Sequence, residues 1–193
     1  MSTERNNLYP IFLKTEQLEV LIVGGGYVAE EKLTFLLKSS PDAKVTIVAP
    51  MFRQGTIEAA MKGAVSFVED VYKSSYLEGK HIVIATTDKP KVNMQVYLDC
   101  RLQNKLVNVA DNPPYCDFYM GGIVTKGNVK VAISTNGKSP TTAKRLRQFF
   151  EGVIPDKIDN LVQNLNEYRK TIKGNFEEKV VTLNEFTKSL VEK

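Results

Sequence analysis

Glu19-Val20-Leu21-Ile22-Val23-Gly24-Gly25-Gly26-Tyr27-Val28-Ala29 joins a short apolar run to a glycine cluster and then to a helix-patterned stretch. The run is rich in Val and Ile and apolar on both alternating faces, as expected of a parallel strand covered by helices on both sides. Gly24 to Ala29 fits G-x-G-x-x-A. Gly24 suits the tight turn, Gly26 lets backbone approach a pyrophosphate, and Ala29 lets helix and strand pack closely. The helix N-terminus supplies amide groups and a positive dipole end. Two readings follow from these residues: a dinucleotide site, or a tight strand-to-helix turn that binds nothing.

The same grammar repeats outward. Lys44 to Ala49, His81 to Thr86 and Leu106 to Ala110 are further Val- and Ile-rich runs, and Val65 to Val68 is a weaker one. Helix-patterned stretches separate them, punctuated by Val28, Leu33, Phe35, Leu36 and Leu37, and later by Val92, Val96, Leu98 and Leu102. This βαβ alternation predicts a doubly wound sheet over about residues 12–112. After Asn112-Pro113-Pro114 the pattern changes. Phe118 to Thr125 and Val129 to Ser134 read as a hairpin turned at Lys126-Gly127-Asn128. Ser139-Pro140 opens a helix with a capping serine and proline at the first helical position. Pro155 ends it, Ile158 to Ile172 form another amphipathic helix, and residues 175–193 a last one. The expected fold class is α/β. A Rossmann-like doubly wound parallel sheet in a nucleotide domain (1–112) is followed by a small α+β segment of hairpin plus helix (113–150) and a C-terminal helical domain (151–193).

In the usual dinucleotide fingerprint an acidic residue about 20 positions on, at the end of the second strand, hydrogen-bonds the adenosine ribose. Here that strand ends Val48-Ala49-Pro50-Met51-Phe52-Arg53. Ribose recognition therefore falls to backbone near Pro50 and Met51, Arg53 is suited to a 2′-phosphate, and residue chemistry admits either NAD or NADP.

The 193 residues carry a formal net charge of +4. Residues 1–125 and 151–193 are each net −1, so the excess lies in residues 126–150. There Lys126, Lys130, Lys138, Lys144, Arg145 and Arg147 meet no acidic residue, giving +6. Such a cluster is either a solvated face or an attractor for a polyanion. Base-reading nucleic-acid motifs and a strongly basic whole domain are missing, which disfavours nucleic acid. The apolar runs are far shorter than the roughly 20 residues of a membrane span. No apolar signal core precedes Leu8, so a cytoplasmic protein with reduced Cys100 and Cys116 is expected. One histidine and no Cys-x-x-Cys pair argue against a structural zinc site, and no metal ligands are assigned.

Several separated stretches resemble one family. They are Leu8 to Leu13, Leu21 to Ala29, Val45 to Pro50, Ala85-Thr86-Thr87-Asp88, Val107-Asn108-Val109-Ala110-Asp111 and Val131 to Pro140. In this order, over about residues 8–172, they are similar to the precorrin-2 dehydrogenases of sirohaem synthesis, including the N-terminal module of fused sirohaem synthases. The resemblance implies oxidation of precorrin-2 to sirohydrochlorin with NAD, in some members also ferrous iron insertion, and a homodimer built largely through residues 113–147. It puts Asp111 at the catalytic aspartate and Tyr27, Val28, Pro50 and Met51 at cofactor contacts, beside Gly24, Gly26, Thr86 and Thr87. Thr135 stands where some relatives have serine, and Asn136 replaces a glycine. Glu31 replaces a family arginine, while Lys32 is kept.

For a tetrapyrrole polycarboxylate the basic segment is a fitting attractor, with Thr135, Asn136, Lys138, Lys144 and Arg145 as candidate substrate contacts. Asp111 follows a strand at the carboxyl edge of the sheet, where a carboxylate serves as general base or simply shapes the turn before Asn112. His81 is read as structural or merely surface, Cys116 as a buried or inert thiol, and Asp88 as a helix cap or a border of the cofactor cleft. Tyr115, Phe118, Tyr119 and Met120 either flank a flat macrocycle or fill a dimer core. The rival function is a non-catalytic dinucleotide sensor, which has no need of an aspartate loop followed by a basic hairpin and helix.

Overall fold

A computed structural model describes residues 5–188. The chain packs as two compact units. The first runs to Met120 and includes Asn136–Lys138; the second comprises Gly121–Thr135 and the described residues from Ser139 on.

In the first unit β1 (Glu19–Val23), α1 (Tyr27–Ser39), β2 (Lys44–Ala49), α2 (Gln54–Ala60), β3 (Ala64–Glu69), β4 (Ile82–Ala85), α3 (Pro90–Leu102) and β5 (Leu106–Val109) follow one another, with only a 3-10 turn (Ser74–Leu77) between β3 and β4. All five strands are parallel, in the order β3-β2-β1-β4-β5. Successive side chains of a strand face opposite sides of the sheet, and β1 shows it. Val20 and Ile22 pack with Leu33 and Leu37 of α1 and Ala59 and Ala60 of α2. Leu21 and Val23 pack with Val96 and Cys100 of α3 and with Leu77. The continuous apolar runs are therefore buried on both faces, and truncating a fully buried residue such as Leu33 to alanine costs about 2–5 kcal/mol. Strand order reverses between β1 and β4. Ligands of doubly wound sheets bind at such a switch point, outside the carboxyl ends of the strands.

In the second unit β6 (Gly122–Lys126) and β7 (Val129–Ile133) form an antiparallel hairpin, followed by α4 (Pro140–Val153), α5 (Ile158–Thr171) and α6 (Phe176–Thr187). Asp159 accepts hydrogen bonds from the main-chain N–H (2.6 Å) and side-chain amide (2.8 Å) of Asn128, clasping the hairpin turn to α5. Ser139 caps α4 by accepting from the Thr142 N–H at 3.2 Å. Asn175 and Glu178 make a reciprocal capping box on α6.

Three expectations need revision. The hairpin strand begins at Gly122 instead of Phe118, because Phe118 and Met120 pack against the α1 side of the sheet and the Phe118 carbonyl accepts from Asn108 Nδ2 at 2.8 Å. Helix α2 is additional. It is a single short element whose buried side chains are two alanines and Thr56, too small to make an apolar stripe. The last helix spans Phe176–Thr187, and the end of the expected 175–193 segment lies outside the described residues. Among the described residues no helix is long and apolar enough to cross a membrane.

Candidate functional site

The glycine turn is stitched to both neighbours of β1. The Gly24 N–H donates to Val48 O (2.9 Å) and the Thr86 N–H to Val23 O (2.8 Å). Gly24 has φ +121°, and a Cβ there would lie 2.6 Å from Thr86 Oγ1. That hydroxyl is buried and donates to Val23 O at 2.9 Å. A Cβ on Gly25 would collide with the Met51 carbonyl. Gly26 differs: it is the N-cap of α1, adds no side-chain cap, and a Cβ there meets nothing within 4 Å. Its freedom from side chain is thus not demanded by packing. It leaves an open cradle at a helix N-terminus, which fits a pyrophosphate. Ala29 is fully buried against the sheet.

Around this cradle Tyr27, Pro50 and Met51 are exposed and Val28 half-buried, so the expected cofactor-contact residues stand together at the carboxyl ends of β1 and β2. Thr87 sits at the end of β4, where its N–H and Oγ1 pair with Asn93 Oδ1 (3.2 and 2.7 Å) and its carbonyl accepts from Asn93 Nδ2 at 2.9 Å. Thr86 and Thr87 therefore spend their hydroxyls on fixing the turn and the β4–α3 loop. Asp88 does not cap α3: the N-cap is Lys89, without a side-chain cap, and the Lys89 N–H donates to Thr87 Oγ1 instead. A nicotinamide dinucleotide would be held by Gly24, Gly26 and the first turn of α1, with backbone near Pro50 and Met51 flanking it.

Asp111 lies two residues beyond β5, at the same edge of the sheet. The bonds Ala110 N–H to Ala85 O (2.9 Å) and Asn112 N–H to Val109 O (3.1 Å) set a tight turn in which Asp111 has φ +57°. Asp and Asn are the side-chain-bearing residues that visit this region routinely. Its side chain is exposed, and among the described residues none engages its carboxylate. Asp111 thus shapes the turn and at once presents a carboxylate that none of the described residues engages. Cys116 ties the following loop down. Its Sγ donates to Val109 O (3.2 Å) and accepts from the Val109 N–H (3.3 Å), and burial, the largest influence, pushes the thiol pKa up. His81 Nδ1 accepts from the Glu19 N–H at 3.0 Å, a structural use at the start of β1.

The loop from Thr135 to Ser139 is closed by the Thr135 hydroxyl, which donates to Ser139 O (3.1 Å) and accepts from the Ser139 N–H (3.3 Å). Asn136 has φ +55°. This left-handed backbone is one that asparagine visits more readily than most side-chain-bearing residues. Asn136 and Lys138 group with the first unit; Thr135, Lys144 and Arg145 belong to the second.

The acid-free basic stretch of the sequence is partly neutralised in space. Lys126 pairs with Asp156 and Arg147 with Glu151, both partners from beyond residue 150. Lys144 and Arg145 stay exposed on α4, Arg145 donating to Gln148 Oε1 at 3.1 Å. Among the described residues no cluster of three or more His, Cys, Asp or Glu is arranged to hold a metal.

Sequence reasoning missed Thr56, whose buried hydroxyl reaches Gly25 O (3.1 Å) and Gly26 O (3.3 Å) and braces the turn from α2. It missed Asn93 and Glu30 as well. Thr56 and Glu30 act across the fold, on the glycine turn and on Arg53, while Asn93 acts on Thr87, six residues before it.

Residues 11–122 match a family described as "Putative NAD(P)-binding", and residues 126–152 match one described as "Sirohaem biosynthesis protein central". The siroheme synthase of Pseudoalteromonas atlantica is 38% identical over 168 residues, covering 87% of this chain and 36% of that protein. That of Nitrosococcus oceani is 38% identical over 164 residues, covering 85% and 35%. The chain therefore spans about a third of the length of these relatives. A solved structure, "SirC, precorrin-2 dehydrogenase", superposes with a TM-score of 0.73 at 24% identity, covering 92% of this chain and 88% of that one, and shares the fold. With an open glycine cradle at the switch point and the nucleotide-binding match running over the whole parallel sheet, this chain belongs to the NAD(P)-binding family, and it carries behind that region the central segment of the sirohaem biosynthesis proteins.

Proposed function

We propose that the chain is a dehydrogenase that oxidises precorrin-2 to sirohydrochlorin in sirohaem formation, with NAD as the oxidant, working as a homodimer through the segment of residues 113–150. The observation that carries this reading is the common sheet edge that bears both the open cradle at Gly26 and the exposed Asp111, whose carboxylate none of the described residues engages. A bound nicotinamide ring supplies a two-electron hydride acceptor. The chain supplies the remainder. The turn of Gly24 to Gly26 orients the dinucleotide, and Asp111 accepts the proton that leaves the tetrapyrrole as the hydride departs. Lys144 and Arg145, with Lys138, attract the substrate's carboxylates. The products are sirohydrochlorin, the reduced dinucleotide and one proton.

Incubation of the chain with precorrin-2 and NAD, followed by absorbance, tests the reading. Formation of NADH together with sirohydrochlorin is expected, and ferrous ion added afterwards reads iron insertion separately. Dinucleotide binding without oxidation would instead identify a sensor.

A further inference from the structure

The adenosine side of the cradle has no carboxylate at the end of β2, but it has an ion pair of its own. The Arg53 N–H donates to Gly25 O at 2.9 Å, which fixes the residue against the glycine turn. Its guanidinium carbon lies 5.5 Å from the centre of the Tyr27 ring, and its Nε lies 3.7 Å from Glu30 Oε2. That oxygen is buried and has no hydrogen-bond partner. The Glu30 carboxylate rests against Gly55, where any Cβ would collide with it. A glycine at the start of α2 thus makes room for a carboxylate held beside Arg53.

We propose that Glu30 sets cofactor choice by masking Arg53, so that the chain takes NAD in preference to NADP. This rests on the reading that the glycine cradle binds a nicotinamide dinucleotide. An arginine near the end of the second strand is what accommodates a 2′-phosphate in folds of this kind, and such a phosphate carries close to two negative charges at neutral pH. Arg53 occupies that place but is already neutralised by an adjacent carboxylate, which also repels an incoming phosphate. A ribose 2′-hydroxyl carries no charge and is indifferent to the pair. Selectivity that other chains obtain from an acidic residue on the ribose is obtained here by cancelling a cation, with the acid supplied from the first turn of α1. Glu30 is then a specificity residue and Arg53 its target.

The test is calorimetric titration of the full chain with NAD and with NADP, for wild type, Glu30→Gln, Arg53→Ala and the double variant, with circular dichroism as a check on folding. Wild type is expected to bind NAD more tightly. Glu30→Gln should tighten NADP by about tenfold, the scale of removing one charge next to a screened dianion, and leave NAD within about twofold. In the double variant the gain should vanish. Arg53→Ala alone should leave NAD within about twofold and weaken NADP by about tenfold, because the Glu30 carboxylate then stands unpaired beside the phosphate. An unchanged NAD to NADP ratio in Glu30→Gln, a gain that survives loss of Arg53, a wild type that prefers NADP, or an NADP affinity unchanged in Arg53→Ala overturns the proposal. Should Glu30→Gln not fold, the Arg53→Ala and wild-type titrations still decide. Wild type that binds neither dinucleotide overturns the dehydrogenase reading, and this proposal with it.

Discussion

Replacing Gly26 with alanine adds one methyl group at the mouth of α1, and replacing Gly24 adds one at the turn itself; the two should fail in opposite ways. Gly26 has φ −90° and ψ −163°, extended backbone open to any residue, and its Cβ would meet nothing within 4 Å. Alanine is a poorer N-cap than glycine by about 0.5–1 kcal/mol. Restricting the unfolded chain returns about 0.4–1 kcal/mol, so the net change in stability is close to zero. At Gly24 the added Cβ would lie 2.6 Å from Thr86 Oγ1 and 3.1 Å from the Thr86 carbonyl carbon, with φ at +121°. Backbone strain of about 1–3 kcal/mol and a disturbed buried hydrogen bond worth about 1 kcal/mol put the loss at about 2–4 kcal/mol. Urea unfolding followed by circular dichroism reads stability, and calorimetric titration with NAD reads binding. Gly26→Ala should unfold like wild type yet bind NAD at least about tenfold more weakly, because the methyl occupies the space a pyrophosphate approaches. Wild-type affinity in Gly26→Ala, or destabilisation as large as that of Gly24→Ala, would refute the inference that the ligand, not the fold, demands this glycine.

Asp111→Asn keeps a residue type that accepts φ near +57°, as Asn104 and Asn136 do, so stability should stay within about 0.5 kcal/mol while turnover of precorrin-2 falls about 10²–10⁴-fold. Near-normal turnover removes the carboxylate from the mechanism, and Asp111→Ala should add about 1 kcal/mol of backbone strain. The pKa of Asp70 is lowered to about 2, first by Lys73 and then by Tyr76, both bonded to its carboxylate. A depressed carboxylate stabilises the fold above its unfolded pKa, and that contribution is lost as pH falls from about 4 to about 2. Urea midpoints of wild type should therefore drop more steeply over this window than those of Asp70→Asn; parallel profiles would contradict the linkage. Reversing the charge of Lys144 and Arg145 to glutamate should raise KM for precorrin-2 and flatten its dependence on ionic strength, whereas an unchanged salt response would exclude these two from substrate attraction.

Much of the first unit was legible because its signals are local. Leu21 to Val23, Ile82 to Ala85 and Val107 to Val109 are buried on both faces, so their composition alone marks parallel strands, and the glycine spacing marks the switch point. What escaped depends on residues far apart in sequence. Thr56 braces a turn some 30 positions away, and Phe118 leaves the expected strand because Asn108 holds its carbonyl. The basic stretch looked uncompensated because its acids lie just past residue 150, Glu151 one turn beyond Arg147 on the same helix and Asp156 in the connection before α5. The ribose position illustrates the same limit. The missing acid at the end of β2 was visible, whereas Glu30 beside Arg53 required the fold.

Thr56 has a further consequence for how the cradle meets an anion. A trans peptide is planar, with its N–H directed opposite to its C=O. By drawing the Gly25 and Gly26 carbonyls toward its hydroxyl, Thr56 turns the amide hydrogens of Gly26 and Tyr27 the other way, toward the open side of the turn. The dipoles are thus oriented before any ligand arrives, and the entropy of orienting them has already been spent during folding, not at the moment of association.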